Sequence, residues 1–179
     1  MSDMVHHTAE RAALLRQQFD GAFAEPARID RAETEDLLSI NVGGLACALR
    51  LCEIGGLFVD RKTTRVPGGV AELRGIAAFR GALLPVYDLA ALLGRPAQEA
   101  PRWLAVAAAL PVALAFDAFE RQLRISRSEI VPQGTQSGLR GHAHEIVRSQ
   151  VFSGPVLHLP SVVEAVQALR TAPAAKTEQ

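Results

Sequence analysis

The sequence has no net charge, two thiols, almost no lysine and no long apolar run, and each scarcity removes a class of function. Nineteen basic residues cancel nineteen acidic ones over 179 residues, so no global field draws the chain to nucleic acid or an anionic membrane. Lysine occurs only as Lys62 and Lys176, a bias that genomic base composition explains. Cys47 and Cys52 have an odd spacing that puts them on opposite faces of an extended segment. They are expected reduced, as in a cytoplasmic protein. The stretch MSDMVHHTAERAALLRQQF lacks the uninterrupted apolar core of a secretory signal. No stretch of about 18 uncharged apolar residues is present to span a bilayer; the nearest, Trp103 to Phe116, is broken by Pro111.

Recognisable chemistry is scarce too. There is no Gly-rich phosphate loop, no paired-thiol motif, no Gly-x-Ser-x-Gly and no Ser/His/acid arrangement. His142-x-His144 could put two imidazoles on one face of an extended segment, but no third ligand stands at metal spacing. It fits a solvated loop from Gln133 to His144. The expectation is a protein that is not an enzyme and uses no metal or cofactor.

What is present describes a folded domain. Hydrophobic residues make up 49% and charged ones 21%, the balance of a globular chain. A chain of this length buries roughly 70% of its unfolded surface as a single domain. From Thr8 to Phe23, Leu15, Phe19, Ala22 and Phe23 recur at helical spacing, and Pro26 and a run of charges then form a connector to residue 34. Short extended runs follow. Asp36–Ile40 and Leu45–Glu53 flank a Gly43-Gly44 hairpin turn, with Leu45, Cys47, Leu49 and Leu51 alternating onto one face. Ala82–Tyr87 reads as a strand covered on both faces, with Pro85 placing it at an edge or a bulge. Trp103–Leu110 and Val112–Phe119 read as a hairpin across Pro111. Val147–Phe152 and Val156–Leu159 surround a turn at Ser153-Gly154-Pro155. Ser161 and Glu164 have the spacing of a capping box ahead of a closing helix that ends near Arg170. Residues 172–179 have the composition of a frayed tail. Short strands with frequent glycine turns favour barrels or a sandwich.

The segment VPGGVAELRGIAAFRGALLPVYDLAALLG, Val66 to Gly94, resembles the central signature of CheW-like domains. It has a proline-containing loop, a basic-Gly step at Arg74-Gly75, a second step at Phe79-Arg80-Gly81 and an apolar run ending Val86-Tyr87-Asp88-Leu89. Leu51-Cys52-Glu53-Ile54 and Ala115-Phe116-Asp117-Ala118-Phe119 resemble two further steps of the family, so the likeness runs from about Glu35 to Arg170. It implies an all-β fold with flanking helices: two side-by-side five-stranded SH3-like β-barrels, an N-terminal helix and a C-terminal helix. The domains would be residues 1–34, 35–171 and a tail, 172–179.

The resemblance also implies a function, that of a cytoplasmic, non-catalytic adaptor in bacterial chemotaxis signal transduction. Such a scaffold couples the cytoplasmic tip of a chemoreceptor to the regulatory domain of a CheA-type histidine kinase by protein-protein interaction. Departures from the family pattern, at Gly68-Gly69-Val70, Ala78 and Ala90, point to a second possibility: a module of another chemosensory pathway, or a competitor of the usual coupler.

Candidate partner-binding residues follow. Arg80 and Glu53 fall on family contact positions; for Arg80 the alternative is an internal ion pair with Asp88, and for Glu53 it is a solvated carboxylate closing a strand, the commoner case. Gly75 and Gly81 would permit turns or bulges and, through them, close approach of a partner. Val66, Ile76 and Phe79 are candidate exposed apolar contacts, or else core residues as most apolar side chains are, and solvent exposure separates the two.

Overall fold

The computed structural model describes residues 33–97, 99–133 and 139–171. The helix expected at Thr8–Phe23, its connector and the tail lie outside these residues. The described chain is mostly strand: β1 (Thr34–Val42), β2 (Leu45–Arg50), β3 (Ile54–Val59), β4 (Leu73–Phe79), β5 (Ala82–Asp88), β6 (Trp103–Ala107), β7 (Ala113–Phe116), β8 (Ala118–Ser126), β9 (Ile130–Pro132), β10 (Ala143–Arg148) and β11 (Ser153–Leu157), with helices α1 (Leu89–Leu92) and α2 (Leu159–Thr171). Among the described residues no helix is long and apolar enough to cross a membrane.

The strands form two sheets, ordered β8-β1-β2-β11-β10-β9 and β3-β6-β7-β5-β4. The counts are six and five rather than the expected five and five; the extra strand is the three-residue β9. Two pairings are parallel, β11 with β2 and β5 with β7, and one strand of each pair leads into a helix, β11 into α2 and β5 into α1. In the five-stranded sheet the outer strands meet through side chains. Phe58 of β3 and Phe79 of β4 pack edge to face at 4.9 Å, and the backbone of Thr64, in the loop between them, bridges to that of Ile76.

Three cores explain the nearly continuous apolar runs. Strand residues alternate between faces, and here both faces of the central strands are covered. In β1, Leu38, Ile40 and Val42 enter the layer between the sheets, while Leu37 enters the interior of the six-stranded sheet. In β7, Leu114 and Phe116 enter the shared layer while Ala113 and Ala115 line the interior of the five-stranded sheet. Leu89 and Leu92 of α1 and Val162 and Val166 of α2 seal the shared layer. Each such large apolar side chain contributes about 1.5–3 kcal/mol on burial.

Several sequence expectations are corrected. Gly43 and Gly44 do make the first turn, with φ of 55° and 77°, but the second strand stops at Arg50 and Leu51–Glu53 form a 3-10 turn. That turn leaves Leu51 exposed instead of in line with Cys47 and Leu49. The segment expected as one strand to Phe119 breaks at Asp117, and its halves, β7 and β8, join different sheets. Pro85 lies in an interior strand; its missing N–H is harmless because the β5–β7 ladder starts only at Val86. Ser153-Gly154-Pro155 is strand, not turn. The turn is at 149–152, where Ser149 Oγ accepts from the backbone N–H groups of Val151 and Phe152 at 3.2 Å each. Gly154 serves close packing instead, since a Cβ there would stand 3.0 Å from the Ala46 carbonyl oxygen.

Candidate partner-docking surface

The signature segment folds as one unit of β4, a two-residue turn, β5 and α1. Phe79 pairs with Ala82, and the intervening Arg80 and Gly81 both have positive φ, 46° and 88°, as a tight right-twisted hairpin demands. Gly81 adopts this freely, whereas a residue with a Cβ pays about 1–2 kcal/mol. The turn carries Arg80 into solvent. Leu83, three residues on and opposite Ala78, is 69% exposed, more than any other large hydrophobic side chain described.

Phe58 supports this tip. The guanidinium carbons of Arg61 and Arg80 lie 5.4 and 6.0 Å from its ring centroid, within the range of a cation–π contact. For Phe79, either an exposed contact or a core residue by sequence, the core reading holds: it is only 4% exposed, because alternation along β4 turns its ring inward onto Phe58. Val66 is 43% exposed, and Ile76 is half-buried.

Gly75 answers to a close approach. Its φ is 143°, and a Cβ there would fall 2.1 Å from the Thr64 carbonyl oxygen. Thr64 and Ile76 exchange backbone hydrogen bonds of 2.8 Å across the same point, so the loop leading into β4 lies directly on the glycine. Beside it runs a cleft of about 500 Å³ that includes Arg65, Val66, Leu73, Arg74 and Asp88.

The pairing proposed for Arg80 belongs to another arginine. Arg74 Nη1 donates to Asp88 Oδ2 at 2.7 Å and Arg74 Nη2 to the Glu99 carbonyl at 2.6 Å. The other Asp88 oxygen accepts from Ala91 N at 3.1 Å and caps α1. Antiparallel register explains the exchange: Leu73 pairs with Tyr87, which sets Arg74 beside Asp88, whereas Arg80 is at the far tip.

Glu53 lies apart, at the opposite end of β3 from Phe58. Its Oε2 accepts from Leu159 N at 3.0 Å, so the carboxylate caps the first turn of α2. Burial raises its pKa above the ordinary carboxylate value, against the opposing pull of that N–H, Arg50 and His158. A smaller cleft of about 300 Å³ opens here, with Ala107, Ala109, Pro160 and Val163 in its wall. The capping box expected at Ser161 is displaced. Ser161 N instead donates to His158 Nδ1 at 3.3 Å, and its Oγ to the His158 carbonyl at 2.8 Å. His142 Nδ1 meets Ser161 Oγ at 3.0 Å, and the His144 and His158 rings lie 6.0 Å apart. Thus His142 is tied to α2 and His144 belongs to β10, while residues 134–138 of the expected solvated loop lie outside the described residues. Among the described residues no three His, Cys, Asp or Glu side chains are arranged to hold a metal ion. Cys47 is buried and Cys52 exposed, both free; burial pushes the Cys47 thiol up to about 12.

The structure therefore gathers Val66, Gly75, Phe79 and Arg80 around β4 and leaves Glu53 at α2. Sequence reading missed Leu83, Phe58, Arg61 and Lys62. The signal for the last two was the basic run from Arg61 to Arg65; Leu83 was hidden inside an apolar run that looked wholly buried.

A family model described as CheW-like domain matches residues 36–167. No curated protein matches the chain. Among solved structures, the crystal structure of the scaffolding protein TtCheW from Thermoanaerobacter tengcongensis is similar with a TM-score of 0.63 at 16% identity, over 69% of this chain and 88% of that one. At that identity the likeness is one of fold.

Proposed function

The chain belongs to the CheW-like domain family, and from that premise we propose that it is a non-catalytic adaptor of bacterial chemosensory signalling. It couples the cytoplasmic tip of a chemoreceptor to the regulatory domain of a CheA-type histidine kinase. The observation that carries the reading is the β4–β5 hairpin, which spends local stability on holding Arg80 and Leu83 out in solvent. Arg80 and Val66 touch a partner directly; Gly75 and Phe79 set the shape on which they stand, and Glu53 acts through α2. The mechanism is geometric: a receptor whose two states contact the adaptor differently shifts the kinase between its own states by that difference. Co-purification with the kinase and the receptor tests this. An adaptor that binds neither ends the reading.

A second reading, a module of a different chemosensory pathway or a competitor of the usual coupler, draws on Gly68, Gly69 and Ala78, all exposed. Ala90 adds nothing to it, being 2% exposed in the shared core. A deletion strain that swims normally yet loses surface motility would favour this version.

A further inference from the structure

We propose that the β3–β4 loop and the β4–β5 hairpin together form a docking surface for an acidic segment of a partner protein, one that presents an apolar side chain between carboxylates. This deepens the adaptor reading by naming the chemistry of one partner. Between Leu57 and Val86 the chain carries five basic and two acidic residues, although the whole chain is neutral. One of the two acids, Asp60, is held by both arms of Arg102 at 2.8 and 2.7 Å. The other, Glu72, is half-buried at the far end of β4. Arg61, Lys62, Arg65 and Arg80 are exposed, and no carboxylate among the described residues lies within ion-pair distance of any of them.

Geometry makes these cations more than a solvated run. Two of the guanidiniums share the Phe58 ring, so less rotamer freedom remains to be lost when a carboxylate arrives. The hairpin that carries Arg80 also carries Leu83, the most exposed large apolar side chain described, and the loop that carries Arg61, Lys62 and Arg65 carries the exposed Val66. An apolar centre with a cationic rim anchors by burial and orients by charge. Arg80 keeps its left-handed conformation although no carboxylate among the described residues pairs with its charge and only the Phe58 ring faces it, a local rule that is only partly compensated. Four cations around one hairpin make no extended track for the phosphates of a nucleic acid. A single exposed leucine with one valine is also too little apolar surface for stable burial in a bilayer interface. A carboxylate-bearing protein segment fits both size and sign.

The test titrates the full ¹⁵N-labelled chain with a synthetic helical peptide of repeating Glu-Glu-Leu and follows backbone amide shifts. Saturable shifts are expected at residues 61–66 and 79–83, weakening in high salt. The charge reversal Arg61→Glu/Lys62→Glu/Arg65→Glu, with an unchanged melting curve, should weaken binding by about tenfold or more. Leu83→Ser should weaken it separately. Absent binding, shifts elsewhere, an unaffected reversal variant, or equal binding of the peptide with every Glu replaced by Gln each overturn the proposal. So does tighter binding to phosphatidylglycerol vesicles than to the peptide, which would make this a lipid surface. The titration uses neither kinase nor receptor, so its failure leaves the adaptor reading standing, and failure of the adaptor reading leaves the titration decisive.

Discussion

Replacing Glu53 separates two roles that the sequence could not distinguish. Its carboxylate accepts one backbone N–H, Leu159 N at 3.0 Å, at the end of α2 where that donor has no partner within the helix. Glu53→Ala removes the acceptor from a half-buried site. Losing a cap costs about 0.5–2 kcal/mol, and for a chain of this size each kcal/mol moves the melting temperature by about 2–4 °C. A drop of roughly 1–8 °C is therefore expected. Glu53→Gln keeps an acceptor oxygen and discards the charge. Because burial raises the carboxyl pKa, the charged form is disfavoured in the folded state. The stability this group contributes is present below its unfolded pKa near 4.5 and is lost as pH rises through the folded value. At neutral pH Glu53→Gln should consequently melt with or above the parent chain. Thermal unfolding followed by far-UV circular dichroism, alongside kinase binding, reads both effects. If Glu53→Ala melts with the parent, the carboxylate does not hold α2 and the capping argument fails. If Glu53→Gln melts normally but no longer binds the kinase, the charge itself touches the partner, and the role through α2 alone is refuted.

Gly75→Ala would place a Cβ 2.1 Å from the Thr64 carbonyl and should cost about 3 kcal/mol or more; an unchanged urea midpoint would contradict the close approach. Phe116→Ala, at a side chain 1% exposed in the shared core, should cost about 3–5 kcal/mol by the same measurement. Arg80→Asn suits the left-handed turn better than arginine does, so it should raise the melting temperature by about 1–3 °C while weakening partner binding; a variant that melts lower would show that Arg80 is held by internal contacts. His142 has its pKa pushed below 6.5 by burial first, then by His144, Arg140 and His158. Its neutral form contributes stability above pH 6.5, and that contribution is lost as pH falls through the folded value; the parent chain should lose more stability than His142→Asn between pH 7.5 and 5.5, and parallel losses would dismiss the effect.

Alternation and turn chemistry were legible where one physical cause acted alone. Gly43-Gly44 marked its hairpin because two successive left-handed residues have few other uses, and Leu38, Ile40 and Val42 marked one face of β1. What escaped was set by contacts distant in sequence. Gly154 looked like a turn because glycine usually is one, but its need comes from Ala46 on β2. Ser161 looked like a cap by spacing, yet His158 and Glu53, 106 residues away from Leu159, had already met the free N–H groups. An internal repeat also went unread. Val86-Tyr87-Asp88-Leu89 and Val156-Leu157-His158-Leu159 both end a strand that pairs in parallel, beside Ala113 and Ala48. In both, the third residue accepts the N–H three positions on, at Ala91 and Ser161. The two sheets are thus closed by the same local device, and Asp in one copy and His in the other concealed it.

This repeated device bears on where function can reside. In both copies the strand is buried between cores and its helix is pinned at its first turn, so substitution there acts through packing and leaves little freedom for recognition. Gly75 and Glu53 belong to this pinned framework: each meets an internal need, for space beside Thr64 and for an acceptor at Leu159. Arg80 and Leu83 meet none. One holds a conformation disfavoured by about 1–2 kcal/mol, which its contact with the Phe58 ring offsets only in part, and the other gives up about 1.5–3 kcal/mol of burial available to a leucine. Natural chains tolerate such exceptions mainly where function requires them. The hairpin tip is therefore the part of the fold best suited to the direct partner contact proposed above, while the rest of the signature keeps it in place.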